Sequence, residues 1–319
     1  MKLLVTGGAG FIGSHFIRHI LRQYPDYQIT NLDKLTYAGS LENLKEVEGH
    51  PNYRFVKGDI ADRKLVDRLA SETEVVVNFA AETHVDRSIE DASPFFITNV
   101  LGTQVLIEAA LKHKHQRYIQ VSTDEVYGDI LKGAFTESSL LRPSSPYAAS
   151  KAAGDLMVMA YRRTYGLPVI ITRCSNNYGP NQYPEKLVPF FVKRLLSGER
   201  VPLYGDGLNV RDWLHVTDHC LALDLVLHKG KIGEIYNIGS NNEHTNLDIA
   251  KRMLKILGFS ANCIAFVKDR PGHDLRYAID ATKIQKELGW KPIISFEKGF
   301  RETVEWYRNI KLKNRKTEK

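Results

Sequence analysis

Short apolar runs recur along the chain, separated by longer stretches in which apolar residues return every three or four positions. The runs Lys2–Thr6, Gln28–Asp33, Tyr53–Lys57, Val75–Phe79, Arg117–Ser122, Pro168–Cys174 and Ile235–Ile238 read as strands. Between them, Ser14–Arg22, Lys64–Ala70, Thr98–His113 and Ala148–Tyr165 carry the helical period. Strand–helix alternation of this kind predicts an α/β fold with a doubly wound parallel sheet covered on both faces. The alternation fails after about Cys174. Residues 176–209 are rich in Pro, Tyr and Asn, and beyond Ser240 helix and loop are mixed. These pieces are expected to build a smaller mixed α/β lobe over the carboxyl ends of the strands, where such sheets bind ligands. The division expected is a nucleotide-binding domain of residues 1–175, taking in about 210–240 as well, and a substrate-binding lobe of 176–209 and 241–319. No internal repeat interrupts this plan.

Composition narrows the class. The 319 residues are 43% hydrophobic and 25% charged, which excludes a disordered or low-complexity chain. The net charge of +7 raises the question of nucleic acid. Its placement argues against that partner: Ile310 to Lys319 holds five Lys/Arg and one acid, so this tail carries +4 and the rest only +3. A basic tail is commonly a solvated end. Three cysteines, Cys174, Cys220 and Cys263, are too few and too scattered for a zinc cage, and their odd number argues against a secreted disulfide framework. The eleven His show no ligand-spaced pair on a credible helix, so no metal is expected. With no signal peptide at the N-terminus and no apolar run approaching membrane length, a soluble cytoplasmic protein without a membrane partner is expected.

Gly7-Gly8-Ala9-Gly10-Phe11-Ile12-Gly13 follows the first strand and opens the first helix. Glycines at Gly7, Gly10 and Gly13 let the backbone turn tightly and approach a pyrophosphate, whose charge then faces the helix N-terminus. A glycine triplet alone also suits any tight α/β turn; Asp33, 20 residues past Gly13 at the end of the next strand, makes the dinucleotide reading the stronger one. An acid there accepts the ribose hydroxyls and repels a 2′-phosphate, which favours NAD over NADP, although Lys34 stands beside it. The sheet is therefore expected to be Rossmann-like. Asp59 and Ile60, after the third strand, are placed to meet the adenine.

Tyr147 and Lys151 are four apart at the start of a helical stretch and share one face. A phenol beside an ammonium is pushed toward ionisation and becomes a candidate base for an alcohol. Tyr53/Lys57 and Tyr307/Lys311 repeat the spacing, but in a strand pattern and at the edge of the basic tail. Thr123, Asp124 and Glu125 end the fifth strand, on the side that faces the ligand crevice. Such a turn is also ordinary loop chemistry. Beside the glycine loop and the Tyr/Lys pair, its two carboxyls suggest a divided task, one protonated acid and one ionised base.

Gly7-x-x-Gly10-x-x-Gly13, Tyr147-x-x-x-Lys151 and Ser175-Asn176-Asn177-Tyr178-Gly179-Pro180 together resemble the extended short-chain dehydrogenase/reductase family. Asp33-Lys34-Leu35-Thr36-Tyr37-Ala38-Gly39, His84-Val85-Asp86-Arg87-Ser88, Thr123-Asp124-Glu125 and Arg270-Pro271-Gly272-His273-Asp274 are more narrowly similar to its dTDP-glucose 4,6-dehydratases. The likeness runs from Met1 to about Trp306, and the Thr-Asp-Glu triplet is its most specific part; related epimerases lack the Asp-Glu pair.

The resemblance implies a hydro-lyase that dehydrates dTDP-glucose to dTDP-4-keto-6-deoxyglucose, feeding rhamnose-type deoxysugar synthesis. Tyr147, aided by Lys151, would take the C4 hydroxyl proton as hydride leaves for NAD. Glu125 would remove the C5 proton, Asp124 would protonate the departing C6 hydroxyl, and Thr123 would hold the C4 oxygen before hydride returns to C6. The implied cofactor contacts are the three glycines, Phe11, Ile12, Asp33, Lys34, Leu35, Thr36, Asp59, Ile60, Phe79, Ala80, Ala81, Glu82, Thr83, Thr98, Tyr147, Lys151 and Asn177. The implied substrate contacts are Thr83, Asn176, Lys186, Leu187, Pro202, Leu203, Tyr204, Arg211, Asn246, Arg270 and His273. Arg211 and Arg270, in stretches read as irregular, suit a diphosphate. The segment between Gly128 and Tyr147 is shorter than is usual in the family, and His84 receives no chemical step. A homodimer through a four-helix interface of Thr98–His113 and Ala148–Tyr165 is implied as well. The nearest alternatives are a UDP-sugar 4,6-dehydratase or a nucleotide-sugar 4-epimerase of the same fold. A non-catalytic NAD-sensing or nucleic-acid-binding protein would explain the charge but not the full Tyr/Lys/Thr/Asp/Glu set.

Overall fold

The computed structural model describes residues 1–317 of the chain, with side chains to residue 310. Its strands are β1 (Lys2–Thr6), β2 (Gln28–Asp33), β3 (Tyr53–Lys57), β4 (Val75–Asn78), β5 (Arg117–Thr123), β6 (Val169–Cys174), β7 (Asn176–Tyr178), β8 (Val201–Tyr204), β9 (Val210–His215), β10 (Ile235–Ile238), β11 (Glu243–Thr245) and β12 (Ile264–Val267). The helices are α1 (Phe11–Gln23), α2 (Arg63–Ser71), α3 (Val85–Glu90), α4 (Ser93–Phe96), α5 (Thr103–Lys112), α6 (Pro146–Tyr165), α7 (Leu187–Leu196), α8 (Val216–Lys229), α9 (Asn246–Leu257), α10 (Thr282–Leu288) and α11 (Phe296–Thr317). A π-helical turn, Ile97–Gly102, joins α4 to α5.

All seven strands expected from the apolar runs lie in one parallel sheet of order β10-β6-β5-β4-β1-β2-β3. The chain runs outward from β1 to β3, returns to β4 on the other side of β1, and continues outward to β10. The order therefore reverses between β1 and β4, which opens a crevice at the carboxyl ends of these strands. Alternate residues of β1 serve the two faces. Leu3 and Val5 pack with Phe16, Ile17 and Leu223 of α1 and α8, whereas Leu4 packs with Val66, Leu106 and Val158 of α2, α5 and α6. This is a Rossmann-like α/β fold.

The smaller lobe has its own core, in which Tyr178, Phe191, Trp213, Met253, Phe296 and Phe300 meet. Two of its features depart from the sequence expectation. The chain beyond Ser240 contains strands: β11 pairs antiparallel with β9, and β12 pairs parallel with β8. These strands have three and four residues, too few for a period to register. The 210–240 stretch is also divided. β9 joins β7 and β11 in a three-stranded sheet, while β10 completes the large sheet and α8 packs against α1. Ile284 and Leu288 of α10, with Trp290, return to the core of the large sheet.

The segment Ser93–Lys112 is, among the described residues, long and apolar enough to cross a membrane, contrary to the expectation that no such run exists. Half of it is buried in this fold, with Leu106, Ile107 and Ala110 inside the core. The basic tail is helical as far as Thr317; Glu318 and Lys319 lie outside the described residues.

Candidate active site

The glycine loop lies where β1 feeds α1. Gly7 has φ +69°, and a Cβ there would come within 2.5 Å of the Ala80 backbone nitrogen at the end of β4. A Cβ on Gly13 would meet the Gly7 carbonyl at 2.5 Å, so the first turn of α1 packs directly on the loop. Asp33 is buried at the end of β2 and accepts from the N–H groups of Ala9 and Leu35, both at 2.8 Å. Burial nonetheless raises its carboxyl above the usual range. Lys34 is drawn to Asp59, Nζ to Oδ2 2.7 Å, and so does not stand free beside Asp33.

A long cleft runs from this loop across the strand ends. It is lined by Gly7, Gly10, Phe11, Ile12, Gly13, Asp33, Lys34, Thr36, Asp59, Ile60, Phe79 to Thr83, Thr98, Tyr147, Lys151 and Asn177, so the residues expected around a cofactor come together. Leu35 is the exception. It adopts φ 55° with its N–H on Asp33 and packs on the core beneath. Gly39 and Ser175, quoted above only within their motifs, also line the cleft, as do Gly58, Cys174, Gln182 and Tyr183, which were not expected in the site. Gln182 and Tyr183 fall in the Pro/Tyr/Asn-rich stretch, where a signal did exist.

At the far end the catalytic candidates converge. β5 ends in Thr123, whose hydroxyl caps the single helical turn Asp124–Tyr127 by accepting from the Glu125 N–H at 3.3 Å. Asp124 is buried, and burial, with the charges of Glu125 and Asp212, pushes its carboxyl well above the usual range. That favours a neutral acid. Burial raises Glu125 too, but Lys186, Arg211 and Arg270 face it and oppose the rise. The two neighbouring carboxyls therefore sit in different fields.

α6 begins at Pro146, capped by the Ser145 hydroxyl, and brings Tyr147 and Lys151 to the cleft. The expectation that Lys151 lowers the Tyr147 phenol is not met in the protein alone. Burial, and then the Glu125 charge, push the phenol well above its ordinary value, with the Thr123 hydroxyl opposing. The Lys151 ammonium instead donates to the Val121 carbonyl at 2.7 Å. Ser88, quoted above within its motif but given no role there, accepts the Tyr147 N–H at 3.1 Å. The two decoy tyrosines serve elsewhere: Tyr53 sits on β3, and the Tyr307 hydroxyl donates to the carbonyls of Gly179 and Gln182.

Of the residues expected around a substrate, Thr83, Asn176 and Lys186 line the cleft, and the Lys186 ammonium donates to the Thr83 carbonyl at 3.0 Å. The others do not line it. Arg211 lies on β9 rather than in an irregular stretch; it is buried, donates to the carbonyls of Val210 and Asp274, and lies over the Tyr277 ring. Arg270 donates to Asp86 at 2.9 Å, and the Tyr204 hydroxyl donates to the same carboxylate at 3.4 Å. His273 pairs with Asp269 and meets the Tyr204 ring edge-on. Pro202 and Leu203 lie on β8, the latter buried in the lobe core; Leu187 and Asn246 open α7 and α9. His84 caps α3 and stands 3.4 Å from Glu185.

The site is thus a dinucleotide-shaped crevice in a doubly wound fold, with a Tyr–Lys pair and two unlike carboxyls at one end. The family model described as GDP-mannose 4,6 dehydratase matches residues 4–303, and the chain belongs to that family. A dTDP-glucose 4,6-dehydratase of Streptomyces niveus is 54% identical over 97% of this chain and 93% of its own length. The low-salt glycan biosynthesis protein Agl12 of Haloferax volcanii is 56% identical over 96% and 98%. Among solved structures, a dTDP-glucose 4,6-dehydratase of Streptomyces venezuelae with NAD bound superposes with a TM-score of 0.95 at 55% identity, covering 97% of each chain. The resemblance read from the motifs holds at the level of the family.

Proposed function

We propose that the protein is an NAD-dependent hydro-lyase that converts dTDP-glucose to dTDP-4-keto-6-deoxyglucose. The observation that carries this reading is the pair Asp124 and Glu125, a buried carboxyl pushed toward its neutral form beside one whose rise three cations oppose, within the same cleft as Tyr147 and Lys151. A dinucleotide fits the chain's own groups. The loop at Gly7 leaves no room for a side chain, and the buried side-chain oxygens of Ser175, Asn176 and Gln182 have no hydrogen-bond partner. Asp33 would take the adenosine ribose, and Lys34, neutralised by Asp59, offers little to a 2′-phosphate.

NAD bound along this cleft would supply a hydride acceptor for C4 and a hydride donor for C6. Tyr147 takes the C4 hydroxyl proton, and Thr123 holds that oxygen. Once C4 is a ketone the C5 proton is acidic; Glu125 removes it while Asp124, in its neutral form, protonates the leaving C6 hydroxyl, water departs, and Glu125 gives the proton back to C5 as C6 is reduced. Lys186 in the cleft wall, with Arg211 and Arg270 beyond it, supplies the positive charge that the sugar diphosphate needs. A cytoplasmic location suits nucleotide substrates and the three free cysteines, and the product is of the kind that deoxysugar synthesis consumes.

A homodimer through α4–α5 and α6 completes the proposal. Phe96, Ile97, Leu101 and Leu156 on these helices are 43–62% exposed, an apolar face with no cover in the single chain. Light scattering is expected to return twice the chain mass, and Leu101→Glu with Leu156→Glu to return a monomer; a monomeric wild type refutes the dimer. The activity is tested by incubating the protein with NAD and either dTDP-glucose or UDP-glucose. The 4-keto product and loss of water are expected from the former, and product from neither would sink the reading.

A further inference from the structure

Behind the catalytic pair lies a buried charged network that the mechanism above does not use. Asp155 stands one helical turn after Lys151 on α6 and is fully buried. Its Oδ2 accepts from Arg173 Nε at 2.9 Å, and both side chains are 4% exposed or less. Arg173 Nη1 donates to the Tyr127 hydroxyl at 2.9 Å, its guanidinium lies 4.8 Å from that ring, and the hydroxyl donates to Asn237 Oδ1 at 2.8 Å. Tyr127 closes the turn that carries Asp124 and Glu125. Arg173 precedes Cys174, Ser175, Asn176 and Asn177, all in the cleft wall. Three active-site elements are thus joined at one point beneath the cleft floor. Replacing a buried ion pair by apolar residues of similar volume is often neutral or stabilising, so fold stability alone gives little reason for this one.

We propose that Asp155 is a positioning residue for the reaction: it places a buried carboxyl one helical turn behind Lys151 and, through Arg173 and Tyr127, locks the carboxyl-bearing turn to the catalytic helix. The inference rests on reading Tyr147 and Lys151 as the oxidising pair. The groups facing Lys151 are few. They are Asp155 from its own helix, the Val121 carbonyl from β5 and the Cys174 thiol from β6, with Tyr147 lining the same cleft. Burial drives the lysine toward its neutral form, and the Asp155 carboxylate is the larger of the charges that oppose this. Without that carboxylate the lysine discharges at lower pH, and the alkaline limb of the rate profile moves down with it.

Asp155→Asn keeps the shape and can still accept from Arg173. It is expected to lower kcat about tenfold or more while KM stays within about twofold, and to move the alkaline limb of kcat down by about one pH unit. The titration of Lys151, followed in carbon-labelled lysine by NMR without substrate, should shift the same way. Tyr127→Phe removes the bond from Arg173 together with the one to Asn237, leaves the Asp155–Arg173 pair in place, and should lower kcat with the lysine titration unmoved; an unchanged kcat would remove the tie to the turn. The double variant Asp155→Leu/Arg173→Met guards against a folding defect. It is expected to melt like the wild type yet keep the shifted titration. Wild-type kcat and pH profile in that variant, or an unmoved Lys151 titration in Asp155→Asn, overturns the proposal. A wild type inert toward dTDP-glucose counts against the activity alone, because the titration is read without turnover.

Discussion

Asp124 and Glu125 are neighbours in sequence, and burial raises both; what separates them is their company. Asp124 feels two carboxylates against the single guanidinium of Arg211 and has one oxygen with no hydrogen-bond partner, whereas Glu125 feels three cations against the carboxylate of Asp274. A neutral carboxyl can donate a proton to a leaving hydroxyl, and an ionised one can take a proton from carbon. Glu125→Gln removes the base and leaves the alcohol-oxidising pair intact. Product formation should fall by about 10²- to 10⁴-fold, while NADH absorbance builds up on adding dTDP-glucose because C4 oxidation still proceeds. Normal turnover in this variant would show that Glu125 is not the base. These two residues were legible in the sequence because they are adjacent and end a strand. Ser88 and the Asp155–Arg173 pair were not, since each meets its partner across 59 and 18 residues respectively, and nothing local marks such pairs.

The strands of the large sheet were legible and those of the lobe were not, and length alone does not explain it: β10 has four residues and was expected, whereas β9 has six and was not. Every strand of the large sheet carries apolar residues in a short run or in alternation, and the seven were placed to within a residue or so of their ends. β7 and β11, three residues each, were lost in the stretch read as irregular. The join between α6 and the π-turn 97–102 was equally invisible, because it depends on a missing side chain. A Cβ on Gly154 would lie 2.8 Å from the Asn99 carbonyl oxygen, and Asn99 itself donates to Ser150 and holds the Glu82 N–H. The π-turn also carries Thr98 in the cleft wall. Gly154→Ala must therefore move one backbone from the other. It is expected to destabilise the fold by about 1–3 kcal/mol and to weaken NAD binding through Thr98 and Glu82. Thermal melts and cofactor titration check this, and a variant as stable and as tightly bound as the wild type would refute the close contact.

The two lobes meet along a loop whose anchors are neutral histidines. His15 of α1 donates to the Pro180 carbonyl at 2.9 Å, and His219 of α8 donates to the side-chain oxygen of Asn177 at 3.0 Å. His215 caps the start of α8 and packs edge-on against Tyr178. Burial holds His15 and His215 at a pKa of about 4 and His219 at about 3, against an ordinary 6.5; the nearby Arg18 adds to the effect on His15. Above pH 6.5 these groups are neutral whether the chain is folded or not, and their contribution to stability is complete. As the pH falls from 6.5 toward 4 the unfolded chain binds protons that the folded chain refuses. Stability is therefore lost in that window, by up to about 3 kcal/mol for each group. The loss falls on the loop that carries Asn176 and Asn177 into the cleft, so cofactor should be released as the lobes loosen. Melting temperature and retained NAD are expected to decline together from about pH 6.5 downward, and His219→Asn should flatten the decline. A melting temperature that is level from neutral pH down to about 5 would mean that these histidines do not couple acid to the lobe contact.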